Sequence, residues 1–336
     1  MTVVCPLCDG DKTTRLFESR DRVHGLPGIF TIFRCNRCYG VFIQPWLTDR
    51  ELAVYYPDHY SGYRHSRSLE RKKYIGLRRF VLENYYGYPS PSNENPSWLE
   101  KGAAFLLSFV MARGAVPYHG DGRFLDVGCG GGSYLYRLRQ WGWKVYGVEP
   151  NESGVQQARA LGLDVRHGEL TDVHFPESFF DVIRLSHVVE HLTDPQGTFR
   201  EIRRILKLDG IVYVTVPNTH SFNFWLFGEN WYGLDAPRHV ISYCPKTLTF
   251  LCDATGFEIV KIRFRSGAFS FVRSVKYYLE ETGDRWPQWL RRVNWPSNKM
   301  IRRILRPFFS LVDLLCLGDV MLVTLKKSYQ MERQGC

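Results

Sequence analysis

The 336-residue sequence lacks any run of about 18 consecutive apolar residues, the minimum for a membrane-crossing helix. Its most apolar stretch, Phe308 to Leu325, is broken by Asp313 and Asp319. The opening Met1-Thr2-Val3-Val4-Cys5-Pro6 has neither the basic start nor the apolar run of a secretory leader. Cysteine is present, but its number, nine, is odd and does not suit a closed extracellular disulfide framework. The expected setting is therefore reducing and cytoplasmic, with a peripheral position on the inner face of a membrane as the variant to test. Acidic residues are outnumbered, 34 against 44 basic, for a net charge of +10. The shortfall is local. Residues 1–60 carry 7 basic and 7 acidic side chains and 121–220 carry 11 and 13, whereas 61–120 carry 9 and 4 and 221–336 carry 17 and 10. Positive charge outside the central stretch attracts phosphate, nucleic acid or anionic lipid, or merely solvates the surface.

What is present begins with two pairs, Cys5-x-x-Cys8 and Cys35-x-x-Cys38. Knuckles of this spacing can offer four thiolates tetrahedrally to a structural zinc, which would substitute for a core that so short a segment can barely build. A redox Cys-x-x-Cys is the alternative, and the lack of a surrounding βαβ pattern speaks against it. "RVHGLPGIFTIFRC" supplies turn residues and then an alternating strand into the second knuckle. Residues 1–60 are thus expected to form a zinc-ribbon module, whose partner the sequence leaves open.

A basic, helix-prone linker or cap is expected over 61–118: "RHSRSLERKKYIGLRRF", a Pro/Ser/Asn loop, then a helix from Trp98 to about Met111. "RFLDVGCGGGSYLYRLRQWGWKVYGVEP" follows. It reads as a strand, the glycine turn Gly128 to Gly132, a helix and a second strand ending on Glu149, where a carboxylate can take both hydroxyls of a ribose. A nicotinamide dinucleotide would fit that outline. The third glycine of G-x-G-x-x-G is missing, however, with Ser133 in its place, and Asp126 precedes the turn, where an anion suits a cationic ligand better than a pyrophosphate.

These residues resemble the first motif of the class I S-adenosylmethionine-dependent methyltransferases. The resemblance covers about 119–265 and the last strand, and implies an α/β fold with a doubly wound, seven-stranded, Rossmann-like sheet over 119–328. Cofactor contacts are expected from Asp126, Gly128, Gly130 and Glu149, and, by family position, from Glu169 and Leu170 flanking the adenine. The rest of the chain alternates to match. "LDVRHGEL" is predicted as the third strand, "SFFDVIRLS" as the fourth, "TFREIRRILKLDG" as a helix ended by Gly210, "IVYVTVPN" as the fifth strand, and "GFEIVKIRF" and "GDVMLVTLKK" as the last two, the seventh antiparallel at the edge. Between those two the chain inserts 267–317, in which Ile301, Ile304, Leu305, Phe308, Phe309, Val312 and Leu315 recur at helical spacing beside Arg302, Arg303 and Arg306. Packing on the sheet or resting on a membrane are both open to such a helix.

His187-Val188-Val189-Glu190-His191 has the H-x-x-E-H spacing of inverted zinc peptidases. Its place at the exit of the predicted fourth strand, not inside a long helix, opposes that reading. "EHLTDP" resembles the same segment of ubiquinone-type O-methyltransferases, some of which hold a divalent ion with an acidic residue followed by Glu-His. Here His187 stands in the acidic position, so a metal and simple packing of His191 both stay open. The acceptor segment is expected over 219–245, with an aromatic wall of Trp231 and Tyr232, Arg238 as a cation, and His239 as first choice of base ahead of His187. Arg238 and His239 as helix caps is the plainer alternative. The segment resembles the "W…PRH" stretch of methyltransferases of bacterial polysaccharide and natural-product pathways. The expected function is methyl transfer to a small molecule, sugar or lipid-linked glycan, most readily at oxygen. An RNA methyltransferase ranks second, since Asn/Asp-Pro-Pro-Tyr/Phe is absent where "LSHV" stands, and a non-catalytic cofactor-binding scaffold ranks third.

Overall fold

The computed structural model describes residues 3–56, 75–90, 95–111, 115–285, 287 and 299–328. The predicted helix over 64–80 is seen only as α2 (Ile75–Asn84), after α1 (Asp49–Ala53); its earlier part lies outside the described residues. The chain divides into two units. One comprises Asp58–Arg184 and Arg204–Ile211, the other Met1–Pro57, Leu185–Arg203 and Val212–Cys336.

The first unit is the βαβ half. After α3 (Trp98–Met111) come β4 (Arg123–Val127), α4 (Ser133–Gln140), β5 (Lys144–Glu149), α5 (Glu152–Ala160) and β6 (Asp164–His167), with β4–β5 and β5–β6 paired in parallel. Phe124, Leu125, Asp126 and Val127 are all buried, as in a parallel strand covered on both faces. β7 (Phe180–Ser186) and β8 (Leu206–Pro217) run through both units, with α6 (Pro195–Ile205) between them. With β10 (Phe257–Arg265) and β11 (Val320–Lys327) they complete a seven-stranded sheet of order β10-β11-β8-β7-β4-β5-β6, in which β11 is antiparallel to both neighbours. This is the Rossmann-like sheet of the methyltransferase fold, the predicted class.

Two expectations shift. The helix expected to end at Gly210 ends at Ile205, and Leu206 to Gly210 is already strand. The Arg204 and Ile205 carbonyls, which a continuing helix would use, accept instead from the backbone N–H groups of Ser178 and Phe179. The single helix expected from Ile301 to Leu315 is two, α10 (Lys299–Ile304) and α11 (Arg306–Leu314), preceded in the insertion by α9 (Ala268–Glu281). Pro307, which cannot donate into a preceding turn, sits at the start of α11, where its missing N–H costs nothing.

The other unit opens with β1 (Thr13–Ser19), β2 (Phe30–Cys35) and β3 (Val41–Gln44), an antiparallel meander. Its fourth strand comes from far along the chain: β9 (Ile241–Ser242) pairs with β3 through Val41–Ser242 and Phe42–Ile241. α7 (Phe222–Phe227) precedes β9 and α8 (Pro245–Thr255) follows it. No helix of the described residues is long and apolar enough to cross a membrane.

Candidate functional site

In the βαβ unit the glycine turn is built as the sequence implied. Gly128, Gly130 and Gly132 have φ of 65°, 53° and 75°, a region that strains side-chain-bearing residues. A Cβ on Gly132 would also lie 2.5 Å from Leu163 Cδ1. The result is a backbone surface without side-chain bulk, edged by two buried carboxylates. Glu149 accepts from the Gly130 N–H at 2.7 Å through Oε2 and from the Asn151 N–H at 3.0 Å through Oε1, which fixes the turn to the end of β5. Burial pushes its carboxyl up, and those two bonds oppose the rise. Asp126 has a cation already. Arg184 on β7 reaches it at 2.8 Å and also covers the Tyr134 ring at 4.0 Å. Burial still pushes the Asp126 carboxyl up against the pull of Arg184. Leu170 is buried and Glu169 is exposed on the turn after β6. A glycine-rich turn beside the Glu149 carboxylate at the end of β5 fits a nucleoside cofactor such as S-adenosylmethionine, while Asp126, expected to meet its positive charge, is already paired with Arg184.

In the other unit the four predicted cysteines converge. Cys5 and Cys38 Sγ are 3.6 Å apart and Cys8 and Cys35 Sγ 3.5 Å, all buried and mutually within 4.8 Å. A disulfide needs about 2.05 Å, whereas four sulfurs each about 2.3 Å from one ion stand a little under 4 Å apart. The Arg37 N–H donates to Cys35 Sγ at 3.3 Å, the kind of bond that stabilises thiolate. The geometry suits a zinc ion.

The same unit gathers the histidines. His187 ends β7 with φ of 57°, a left-handed conformation that is uncommon outside glycine and that clusters at functional sites. Its Nδ1 lies 3.1 Å from Glu190 Oε1, while the side chain is 47% exposed. Nδ1–H therefore donates to the carboxylate, and Nε2 keeps its lone pair toward solvent. Val189 to His191 form a single 3-10 turn, so the two histidines of H-x-x-E-H are not stacked on a helix face. Glu190 is wholly buried. Burial would raise its carboxyl, but the His187 bond and the charges of His239 and His191 hold it below the usual carboxylate range. Its second oxygen has no hydrogen-bond partner, and the Glu190 carboxylate with one nitrogen each from His191 and His239 could hold a metal ion.

His239 is 9% exposed; its Nδ1–H donates to the Gly233 carbonyl at 2.9 Å and its Nε2 faces Glu190 at 3.9 Å. Arg238, expected as a cation for the acceptor, has no exposed surface. Its guanidinium forks between Asp235 at 2.6 Å and Asp21 at 2.7 Å and donates to the Tyr55 carbonyl at 3.2 Å. Trp231, expected in an aromatic wall, is likewise buried, its indole N–H on Asp319 at 3.2 Å. Both residues hold segment 219–245 in shape, because a buried Arg or Trp must find partners for its donors. Tyr232 is the most exposed of the three. With Arg22, Trp231, Asp235 and Tyr277 it lines a small cleft.

Sequence reading missed Asp21 and Tyr56. Tyr56 Oη lies 2.6 Å from His191 Nδ1, which also faces the Arg238 carbonyl at 2.9 Å. No local motif marks either residue, since their partners stand 217 and 135 positions away.

Residues 96–262 match the family model described as a methyltransferase domain. A Mycolicibacterium smegmatis protein named as a probable S-adenosylmethionine-dependent methyltransferase is 30% identical over 140 residues, covering 40% of this chain and 51% of that protein. The ubiquinone biosynthesis O-methyltransferase of Idiomarina loihiensis is 30% identical over 146 residues, covering 40% and 57%. The chain spans about half the length of the curated relatives it matches. A solved S-adenosylmethionine-dependent methyltransferase from Archaeoglobus fulgidus aligns at a TM-score of 0.43 and 21% identity over 62% of this chain and 88% of that one. Glycine turn, strand order and family match agree: residues 96–262 form a class I S-adenosylmethionine-dependent methyltransferase domain.

Proposed function

We propose that the protein transfers the methyl group of S-adenosylmethionine to a hydroxyl of a small, sugar or lipid-linked glycan acceptor, with zinc in the ribbon. The observation carrying the chemistry is the His187–Glu190 pair: an exposed imidazole whose Nδ1–H is held by a buried carboxylate keeps Nε2 basic and oriented. His187 is therefore preferred over the buried His239 as base. The sulfonium already activates the methyl carbon, so the protein's share is to bind, align and deprotonate; alignment alone can supply about 7–11 kcal/mol. Asp126, Gly128, Gly130 and Glu149 would hold the cofactor, with Glu169 and Leu170 toward the adenine. The acceptor oxygen gains the methyl carbon as the carbon–sulfur bond breaks, and its proton passes to His187 Nε2. Oxygen as the atom methylated draws support from the O-methyltransferase relatives.

The test pairs two variants. Glu149→Gln should weaken cofactor binding measured by calorimetry, whereas His187→Ala should leave it intact and lower turnover by about 10²–10⁴-fold, the usual contribution of a general base. His187→Ala with full turnover would remove the base. A second reading rests on the unpartnered Glu190 oxygen. With His191 and His239 it would hold a divalent ion, which would polarise the acceptor oxygen when bound. Loss of turnover to a weak chelator that spares the thiolate zinc, restored by a divalent ion, would select it.

A further inference from the structure

The chain leaves α11 apolar on two faces. One face is used: Phe309 and Val312 are buried, and Phe309 meets Phe271 of α9 edge-on at 5.5 Å. The other is not. Ile304, Phe308, Leu311, Leu314 and Leu315 are exposed, Leu314 at 80%, and they recur at intervals of three and four, which aligns them along one side across α10 and α11. The stripe continues sideways onto α7. Phe222 meets the Phe308 ring at 5.4 Å and the ring of Trp225, itself 79% exposed, at 6.4 Å. Among the described residues nothing covers this surface.

Its charge says what could. Arg303 and Arg306 are exposed beside the apolar stripe at its start. From Lys299 to Gly318 the sequence has four basic residues and one acidic, Asp313, whose carboxylate is held by the Ser266 N–H. A ridge of Phe, Leu and Trp flanked by arginines, with no free acid, is the pattern of a helix that lies in the headgroup layer of an anionic bilayer, rings and leucines in the acyl boundary and guanidinium groups on phosphate. A second copy meeting this face with its own would cover the leucines but set arginine against arginine.

We propose that α7 and α11, with the end of α10, form a docking face for an anionic membrane surface. The docking does not depend on the methyl-transfer reading. Of its helices, α7 belongs to the same segment, 219–245, as β9 and His239, so an acceptor with an apolar tail would meet that segment at the membrane.

Sedimentation of the full chain with phosphatidylglycerol-containing vesicles and with vesicles of phosphatidylcholine alone tests it, with melting temperature as the fold control. The wild type should pellet with the anionic vesicles and be released by salt within the screening range. Arg303→Glu with Arg306→Glu should cut the bound fraction at least tenfold, as should Leu311→Ser with Leu314→Ser; all four positions are exposed, so melting should hold. Wild type left in the supernatant with both vesicles overturns the proposal. So does binding unchanged by both double variants, or a concentration-dependent dimer that Leu311→Ser with Leu314→Ser abolishes while vesicle binding stays unchanged.

Discussion

The cofactor half and the histidine half of this protein are built by opposite means. In the first, Asp126, the glycine turn, Glu149 and Asn151 lie within 26 consecutive residues, and the bonds of Glu149 to Gly130 and Asn151 fall inside that stretch, with Arg184 of β7 reaching in to Asp126. In the second, local contacts such as His187 to Glu190 and Arg238 to Asp235 are joined by distant ones: Arg238 to Asp21, His191 to Tyr56, β9 to β3, and Gln196 to the Leu7 carbonyl at 2.7 Å. A local site survives many changes elsewhere. A site assembled from distant segments depends on every segment, so the ribbon is expected to act as a wall of the histidine site more than as an independent binding module.

The largest test of that contrast is the ribbon metal. Metal analysis should find about one zinc per chain, and because structural zinc in small modules contributes on the order of 10 kcal/mol or more to folding, Cys35→Ser should collapse the soluble yield. In the fraction that remains soluble, cofactor binding should persist while turnover is lost. Equal loss of both would erase the distinction between the halves, and a metal-free preparation with full activity would end the structural-zinc reading.

Arg238 comes next. Arg238→Ala leaves the buried Asp21 and the part-buried Asp235 without their cation, and removing one partner of a buried pair typically costs about 3–5 kcal/mol. The Arg238 bonds hold the Asp21 carboxyl down, burial opposing them, so the loss should shrink as acid neutralises Asp21. Urea unfolding of Arg238→Ala at neutral and mildly acidic pH measures both. A stability change below about 1 kcal/mol would mean the pair is a surface-like contact.

These contrasts explain what the sequence made legible. Glycines at positive φ, an acid after a strand and a Cys-x-x-Cys pair are set by local backbone and ligand geometry, so they appear as short motifs. Whether Arg238 reaches a ligand or a buried aspartate is decided by which segment packs over it, and no spacing encodes that. His239 drew attention through a Pro-Arg-His string and is buried, whereas His187, at a left-handed φ and bonded to a buried carboxylate, is the more exposed of the two. The insertion is an intermediate case. Helical periodicity found its apolar residues but did not distinguish Phe309 and Val312, which are buried, from Leu311 and Leu314, which are exposed.

A smaller effect should appear in acid. Burial, with His239 adding to it and Glu190 opposing, pushes His191 down to about 4 from an ordinary 6.5. Between those values the unfolded chain binds the proton and the folded one does not. The stability of the neutral form is complete above about pH 6.5 and falls by up to roughly 3 kcal/mol as pH approaches 4, with a limiting slope near 1.4 kcal/mol per pH unit. His191→Gln should flatten the slope over that window. An unchanged slope would assign acid sensitivity elsewhere, Glu190 and Asp21 being the candidates at still lower pH, where their depressed carboxyls take up protons.

The smallest effect is the most specific about tautomer. The Arg238 carbonyl can only accept, so a bond at 2.9 Å places the His191 proton on Nδ1 and leaves Nε2 with its lone pair. Tyr56 Oη, 2.6 Å from the same nitrogen, then shares that proton as a second acceptor. Tyr56→Phe removes one acceptor of two and should cost only about 0.5–1.5 kcal/mol, the usual net value of one hydrogen bond, without altering the tautomer. Nitrogen-15 chemical shifts of the His191 ring should read a protonated Nδ1 in both proteins. If the phenol instead donated to an unprotonated Nδ1, the carbonyl would face a lone pair, Tyr56→Phe would release the ring to the other tautomer, and Nε2 would lose the lone pair needed to bind an ion beside Glu190 and His239. A tautomer that switches in Tyr56→Phe would therefore make Tyr56, from the ribbon end of the chain, the residue that sets the chemistry of the histidine cluster; one that does not leaves it as a packing contact on a site fixed by the Arg238 backbone.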